Sequence, residues 1–296
     1  MRKITKDIVY EYNDRANIPT ASVELNEPFV VETELSTGDW LKSTDDKWGP
    51  GKSLKNNPCA CIYVNGAKPG DTLLVHIEDI VPGPIGHMAL ETYESVFPDI
   101  AESIFGPLFS ETVEIANGYV NISPQIKVPI KPMIGVISTT IANEVRNHIV
   151  AGPYGGNLDV QEISAGATVY LPVYVEGALL NLGDVHARQS DGEISAVECR
   201  SELKLSIGIE TNKKPLAWPR IVNKDYWMTV SCAKTERRAF ELAFKELLEW
   251  ICDERSISKR EAYMVLAAAM EARCTVYLNP FLFTYICKIN KNCFVG

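Results

Sequence analysis

The sequence predicts a mainly β protein, a sandwich or jelly-roll-like body carrying a C-terminal helical pair. Three observations lead there. Short β-branched and aromatic runs recur between glycine- and proline-rich bends from residue 28 to 231. Helical periodicity first appears late, from Glu236. No internal repeat, low-complexity stretch or strong linker divides the 296 residues, so we read a single domain over 1–296, with its helical portion at about 236–272.

The elements follow in order. Tyr10-Glu11-Tyr12 reads as an edge strand, and Phe29 to Glu34 as a strand ending in Ser36-Thr37-Gly38-Asp39. Residues 42–58 form a long polar loop, in which Trp48 is either a lid anchor or a cap on the edge of the core. Ala60 to Val64 and Thr72 to Val81 are strands, with His76 and Glu78 on one face that is either site-facing or solvent-facing. Pro82 to His87 reads as a tight loop with an isolated histidine, and 88–110 has no clean period. Thr112–Ile115 and Gly118–Ile122 make a hairpin around Ala116-Asn117. Strands follow at 131–138, 167–176, 178–186 and 193–210, the last with Leu203, Leu205, Ile207 and Ile209 on one face; residues 217–231 add more.

Glu236 to Asp253 spaces Phe240, Ala243, Phe244, Leu247, Leu248 and Ile251 at three and four, an amphipathic helix. Ser258 and Glu261 form a capping box opening a second helix. Cys274 to Cys287 reads as a strand or packing segment, and the last nine residues as a frayed end.

Composition narrows the function. A hydrophobic fraction of 46% and a charged fraction of 23% fit a soluble globular chain. The net charge of -9 argues against general nucleic-acid binding, which needs cationic surface. No apolar run is long enough for a membrane helix, and no apolar segment follows the basic start, so the expected location is cytoplasmic. The eight cysteines are scattered, with one CxC and no CxxC; most are expected to be small buried hydrophobes. No GxSxG elbow, phosphate loop or dinucleotide fingerprint is present. Cys199 is conceivable as a nucleophile, but nothing in the sequence next to it would activate it.

The chemistry concentrates in Gly152–Glu198. Asp184 and His186 are two apart and share a strand face. Asp191-Gly192 is a hairpin signal; as the two central turn residues they would pair Ser190 with Glu193 and His186 with Val197. One residue of slip would move Glu193 to the other face. An aspartate, a histidine and further carboxylates suit zinc, with calcium or manganese as alternatives. Such an ion acidifies water and polarises a carbonyl, and Glu193 is the candidate base. Asn157 and Asp159 follow Gly155 and Gly156, which let backbone approach a ligand closely. From spacing alone, Asp184 and His186 read first as a surface pair, and the glycine bend as only a turn.

At these residues the sequence resembles the acetamidase/formamidase family. The match consists of Gly155-Gly156-Asn157-Leu158-Asp159, then Tyr170-Leu171-Pro172-Val173, then Gly177-Ala178-Leu179, Gly183-Asp184, His186-Ala187, Gln189 and Asp191-Gly192-Glu193. Weaker similarity reaches forward to Val64–Leu73 and back to Lys259–Tyr263. The resemblance implies hydrolysis of a short amide such as formamide or acetamide, a β-sandwich body, a divalent metal near the Asp and His, and a homo-oligomer, dimer or trimer. It assigns Asp159, Asp184 and His186 to the metal, Glu193 and Asp191 to catalysis, and Gly155, Gly156, Asn157 and Gln189 to the substrate. Tyr154 stands where many members have histidine, Ser190 where glycine is usual, and Cys59-Ala60-Cys61 replaces a small-residue and glycine stretch. The rival expectations are a non-catalytic metal-binding or assembly protein on the same fold, and a hydrolase of a larger or cyclic amide.

Overall fold

The computed structural model describes residues 1–211, 214–277 and 282–295. Among these residues seventeen strands join in one branched hydrogen-bonded network, with a separate two-stranded pair, Tyr12–Asn13 with Arg146–Asn147. Pairing is antiparallel except where Arg2–Ile4 joins Phe29–Glu32 and Ala21–Val23 joins Ala60–Val64. The main core lies inside this body, where Val31, Ile62, Leu73, Val75, Leu171, Leu182, Leu203, Leu205 and Ile207 are buried. The expected β-body with a C-terminal helical pair is therefore what the chain forms. Among the described residues no helix is long and apolar enough to cross a membrane.

The helical pair packs as its periodicity requires. Glu236–Arg255 starts at Thr235, whose hydroxyl accepts from the Arg238 amide. It buries Ala243, Leu247, Trp250 and Ile251 with Trp227 and Ile289 of the sheet. Burying Leu247 or Ile251 contributes roughly 1.5–3 kcal/mol each. Lys259–Ala269 opens on the capping box: Ser258 Oγ accepts from the Glu261 amide and Glu261 accepts from the Ser258 amide.

Several expectations are corrected. Pro82 to His87 is not a loop but the middle of one 20-residue strand, Thr72–Glu91. Its two prolines stay because the partner strand is bulged between Cys199 and Ser201, where the ladder is already irregular. The run 88–110 holds a short helix, Pro98–Phe105, that carries no buried residue. The hairpin after it turns on Asn117 and Gly118, both with positive φ, and pairs Ala116 with Tyr119. His76 and Glu78 are on the outer side: His76 meets Thr168 Oγ1 at 2.8 Å and Glu78 meets Lys204 at 2.9 Å. Among the described residues the end of the chain is not frayed; Phe283–Asn290 is a strand with Ile289 buried, followed by a 3-10 turn at Lys291–Cys293.

The segment around Asp191 also differs. Gln189 pairs with Ala196 and His186 with Glu198, with a bulge between His186 and Arg188. The link from Ser190 to Ser195 is thus six residues with a 3-10 turn at Asp191–Glu193, rather than a two-residue hairpin. Both Gly192 and Glu193 take positive φ there. A longer connection frees Glu193 from strand alternation, so its direction is set by the loop.

Candidate active site

Six neighbouring strands build the floor. Gly155–Asn157 pairs with Met133–Ser138, which pairs with Leu180–Gln189, then Ala196–Glu210, Thr72–Glu91 and Leu108–Ala116. Along Leu180–Gln189 the core residues are Leu180, Leu182 and then Val185, so the alternation slips by one. The slip falls at Gly183 and Asp184, and Asp184 has a left-handed backbone with φ 52°. Regular alternation would have sent Asp184 into the core with Leu182. The slip instead turns Asp184 and His186 together into a cavity of about 910 Å³.

Asp159 arrives from the next turn, after Gly155 and Gly156. Those glycines have φ +95° and +108°, and a Cβ on either would strike backbone carbonyls at 2.2 and 2.3 Å. They let the 152–159 turn lie flat on its neighbours and do not line the cavity themselves. Asp159 is fully buried, and neither of its carboxylate oxygens has a hydrogen-bond donor. Burial first, then the charges of Glu193 and Asp184, raise its carboxyl well above the usual range.

The imidazole of His186 is held at both nitrogens. Nδ1 lies 2.7 Å from Gln189 Oε1 and Nε2 lies 3.1 Å from Asp184 Oδ1. Burial opposes charge on the ring, but Asp184 and then Asp159 outweigh it and lift the ring to about 10. Gln189 Nε2 donates to the Asp159 carbonyl at 2.9 Å, so Gln189 is occupied in orienting the ring and the turn. Glu193 is partly exposed with its carboxyl enclosed; burial and then Asp184 push it to about 8. Asp159, His186 and Glu193 each offer a ligand atom, all within 4.8 Å of one another.

Gly135 completes this cradle. A Cβ there would lie 2.6 Å from Asp159 Oδ1 and 2.9 Å from Asp184 Oδ2. The two carboxylates thus converge over a position that only hydrogen can occupy. Buried, donor-free carboxylate oxygens beside an imidazole are a donor set that fits a divalent cation.

The remaining sequence candidates divide. Asn157 lines the cavity with a buried, unpartnered Oδ1. Asp191 is exposed and turns away from the cavity to Arg273, whose Nε donates to Asp191 Oδ1 at 2.7 Å. The same guanidinium reaches Gln161 Oε1 at 3.1 Å and Glu162 Oε1 at 2.7 Å. Arg273 therefore ties the loop of Glu193 to the turn after Asp159. Tyr154 is buried and donates to the Val150 carbonyl at 2.9 Å, bracing the turn outside the cavity. All eight cysteines are free and six are buried; burial pushes the Cys199 thiol up to about 12.

Glu198 and Ser36 escaped the sequence reading, which saw His87 only as an isolated loop histidine. Glu198 and His87 line the cavity and meet at 3.0 Å, and Ser36 donates to Glu198 from both its amide and its hydroxyl. His87 looked like a loop residue only because Pro82-Gly83-Pro84 hid the strand. Trp40 packs edge-on against it at 4.9 Å.

Fold and site together define a β-body with a buried carboxylate–imidazole centre at the floor of an open cavity. The acetamidase/formamidase family model matches residues 109–275, and the chain belongs to that family. Among solved structures it is similar to a predicted acetamidase/formamidase of Thermoanaerobacter tengcongensis, at 29% identity and TM-score 0.90, covering 98% of this chain and 95% of that one. The acetamidase of Bacillus halodurans is similar at 29% identity and TM-score 0.89, covering 98% and 97%. A putative formamidase of Schizosaccharomyces pombe is 26% identical over 261 residues, 66% of this chain and 63% of that protein, so the match spans less than two thirds of its length.

Proposed function

We propose that the chain hydrolyses a short aliphatic amide, formamide or acetamide, to the carboxylate and ammonia with the help of one divalent cation. The observation that carries this reading is the convergence of Asp184, His186 and Glu193, which line a cavity, with the buried Asp159 behind them, in a member of this family.

Asp159, Asp184 and His186 would hold the ion. A bound divalent ion, zinc before manganese or calcium, polarises a carbonyl and acidifies water. Gln189 accepts from Nδ1 of His186 and so leaves Nε2 facing Asp184 as the donor nitrogen. Asn157 Oδ1 is free to accept from the substrate N–H and orient the amide. Glu193 takes the proton of the attacking water, as its place beside Asp159 on a loop rather than a strand allows. Asp191, Gly155 and Gly156 act by holding the loop and turn. Glu193 can also serve as a ligand; retention of metal by Glu193→Gln with loss of turnover separates the roles.

The cavity of about 910 Å³ is roomy for formamide and favours a second reading, in which the acyl part is larger. Free cysteines throughout support a cytoplasmic setting. Self-association is part of the proposal, and the exposed Ile100 and Ile104 on the short helix support it; sedimentation measures it.

The test is ammonia release from formamide, acetamide, propionamide and a bulkier amide, before and after chelation, with zinc, manganese or calcium returned. Release that stops with the chelator and returns with one ion is expected. Chelator-insensitive release would remove the ion from the account, and no release would remove the activity.

A further inference from the structure

We propose that His87, held by Glu198, is the acid that protonates the departing nitrogen; this rests on the amide-hydrolysis reading above. Breaking an amide C–N bond requires a proton on the leaving nitrogen, because an unprotonated amide anion is far too basic to depart. The groups around Asp159 account for the ion and for the proton of the attacking water, and leave this second transfer without an owner.

A row of three in-register residues supplies one. His186 pairs with Glu198, and Glu198 pairs with His87, on three adjacent antiparallel strands. Paired residues point to the same face, and all three line the cavity. The backbones of His186 and His87 are two strand spacings apart, about 9–10 Å. An amide whose carbonyl lies toward His186 has its nitrogen on the side of His87.

The pair is built to hold the ring still. Glu198 Oε2 lies 3.0 Å from His87 Nε2 and accepts from Ser36 Oγ at 2.8 Å, while Oε1 accepts from the Ser36 amide. Trp40 closes one side of the ring. Both ring nitrogens of His87 are buried without a fully formed hydrogen bond; Nε2 is the one that lies against Glu198, which leaves Nδ1 for another molecule. Glu198, with every oxygen engaged, is a positioning residue; His87 is the donor.

The step balances. Water adds its oxygen to the carbonyl carbon and gives one proton to Glu193. The C–N bond breaks as the protonated His87 ring gives its proton to nitrogen, and ammonia leaves. The proton on Glu193 returns to His87 through cavity water, so amide and water become carboxylic acid and ammonia with both side chains restored.

The test compares acetamide with 4-nitrophenyl acetate, whose phenolate leaves without a proton. Metal-loaded wild type, His87→Ala and His87→Gln are assayed on both, with ion content and melting temperature as controls. The expected result is a loss of roughly 10²–10⁴-fold in kcat for acetamide in His87→Ala. Ester cleavage should change by no more than about fivefold, and added imidazole should restore part of the amide rate. His87→Gln keeps a donor to Glu198 and tests the same point if the alanine variant fails to fold. Equal losses on both substrates, or none on either, would overturn the assignment. So would a wild type that cleaves the ester but no amide. A wild type inert on both removes the hydrolase reading and this assignment together.

Discussion

The amide of Gln189 bridges His186 and the Asp159 backbone: Oε1 meets Nδ1 at 2.7 Å and Nε2 donates to the Asp159 carbonyl at 2.9 Å. Because Nε2 of Gln189 must be the donor to a carbonyl, its Oε1 must be the acceptor, and His186 carries a proton on Nδ1. The remaining nitrogen faces Asp184. Gln189→Leu would leave two buried polar groups unpaired, at about 1–3 kcal/mol each. Its zinc affinity should fall roughly 10–100-fold. Calorimetric titration of zinc and a melting curve check both; unchanged affinity would mean that the bridge is only structural.

Gly135 offers a sharper probe of the carboxylate cradle. Its missing Cβ occupies the space between Asp159 and Asp184. A Cβ there would also strike the Asp184 carbonyl at 2.7 Å, so Gly135→Ala should lower the melting temperature and bind the ion at least about tenfold more weakly, as the Asp184 backbone and both carboxylates are displaced. Elemental analysis of the purified variant measures this directly.

Arg273 links Asp191, Gln161 and Glu162, so it should position the loop of Glu193 and the turn of Asp159 together. Arg273→Met should speed amide exchange in 159–163 and 190–195 in parallel. Faster exchange confined to the strand of Arg273 would contradict the coupling. By the same logic, Asp191→Asn should keep turnover within about tenfold of wild type, whereas Glu193→Gln should lose at least about 100-fold.

Acid should expose the buried His148. Its Nδ1 faces the Asn57 carbonyl at 3.1 Å, and burial, the largest cause, lowers the ring from 6.5 to about 4. The unfolded chain therefore binds a proton between pH 6.5 and 4 that the folded chain refuses. Stability from this group is full above pH 6.5 and falls as pH drops, by roughly 3 kcal/mol at most. Melting temperatures of wild type and His148→Gln across that window should converge toward acid pH; a constant difference would contradict this.

The sequence made some of this visible and hid the rest for physical reasons. Late helical periodicity and the Ser258 box located the helical pair, because propensity and capping are local. Asp184 and His186 were read onto one face correctly, although the reason lies in a slip that spacing does not reveal. His87 and Glu198 were missed because they meet across strands 111 residues apart in the chain, with the prolines at 82 and 84 masking the strand. Asp191 looked catalytic by its neighbours, yet its partner, Arg273, lies in a segment that carried no signal.

The most direct test of the central claim is the ion content of the purified protein, wild type against Asp159→Asn. Close to one divalent ion per chain is expected in the wild type and its loss in the variant, with the fold retained by melting. A full complement of ion in Asp159→Asn, or an active wild type with none, would contradict it.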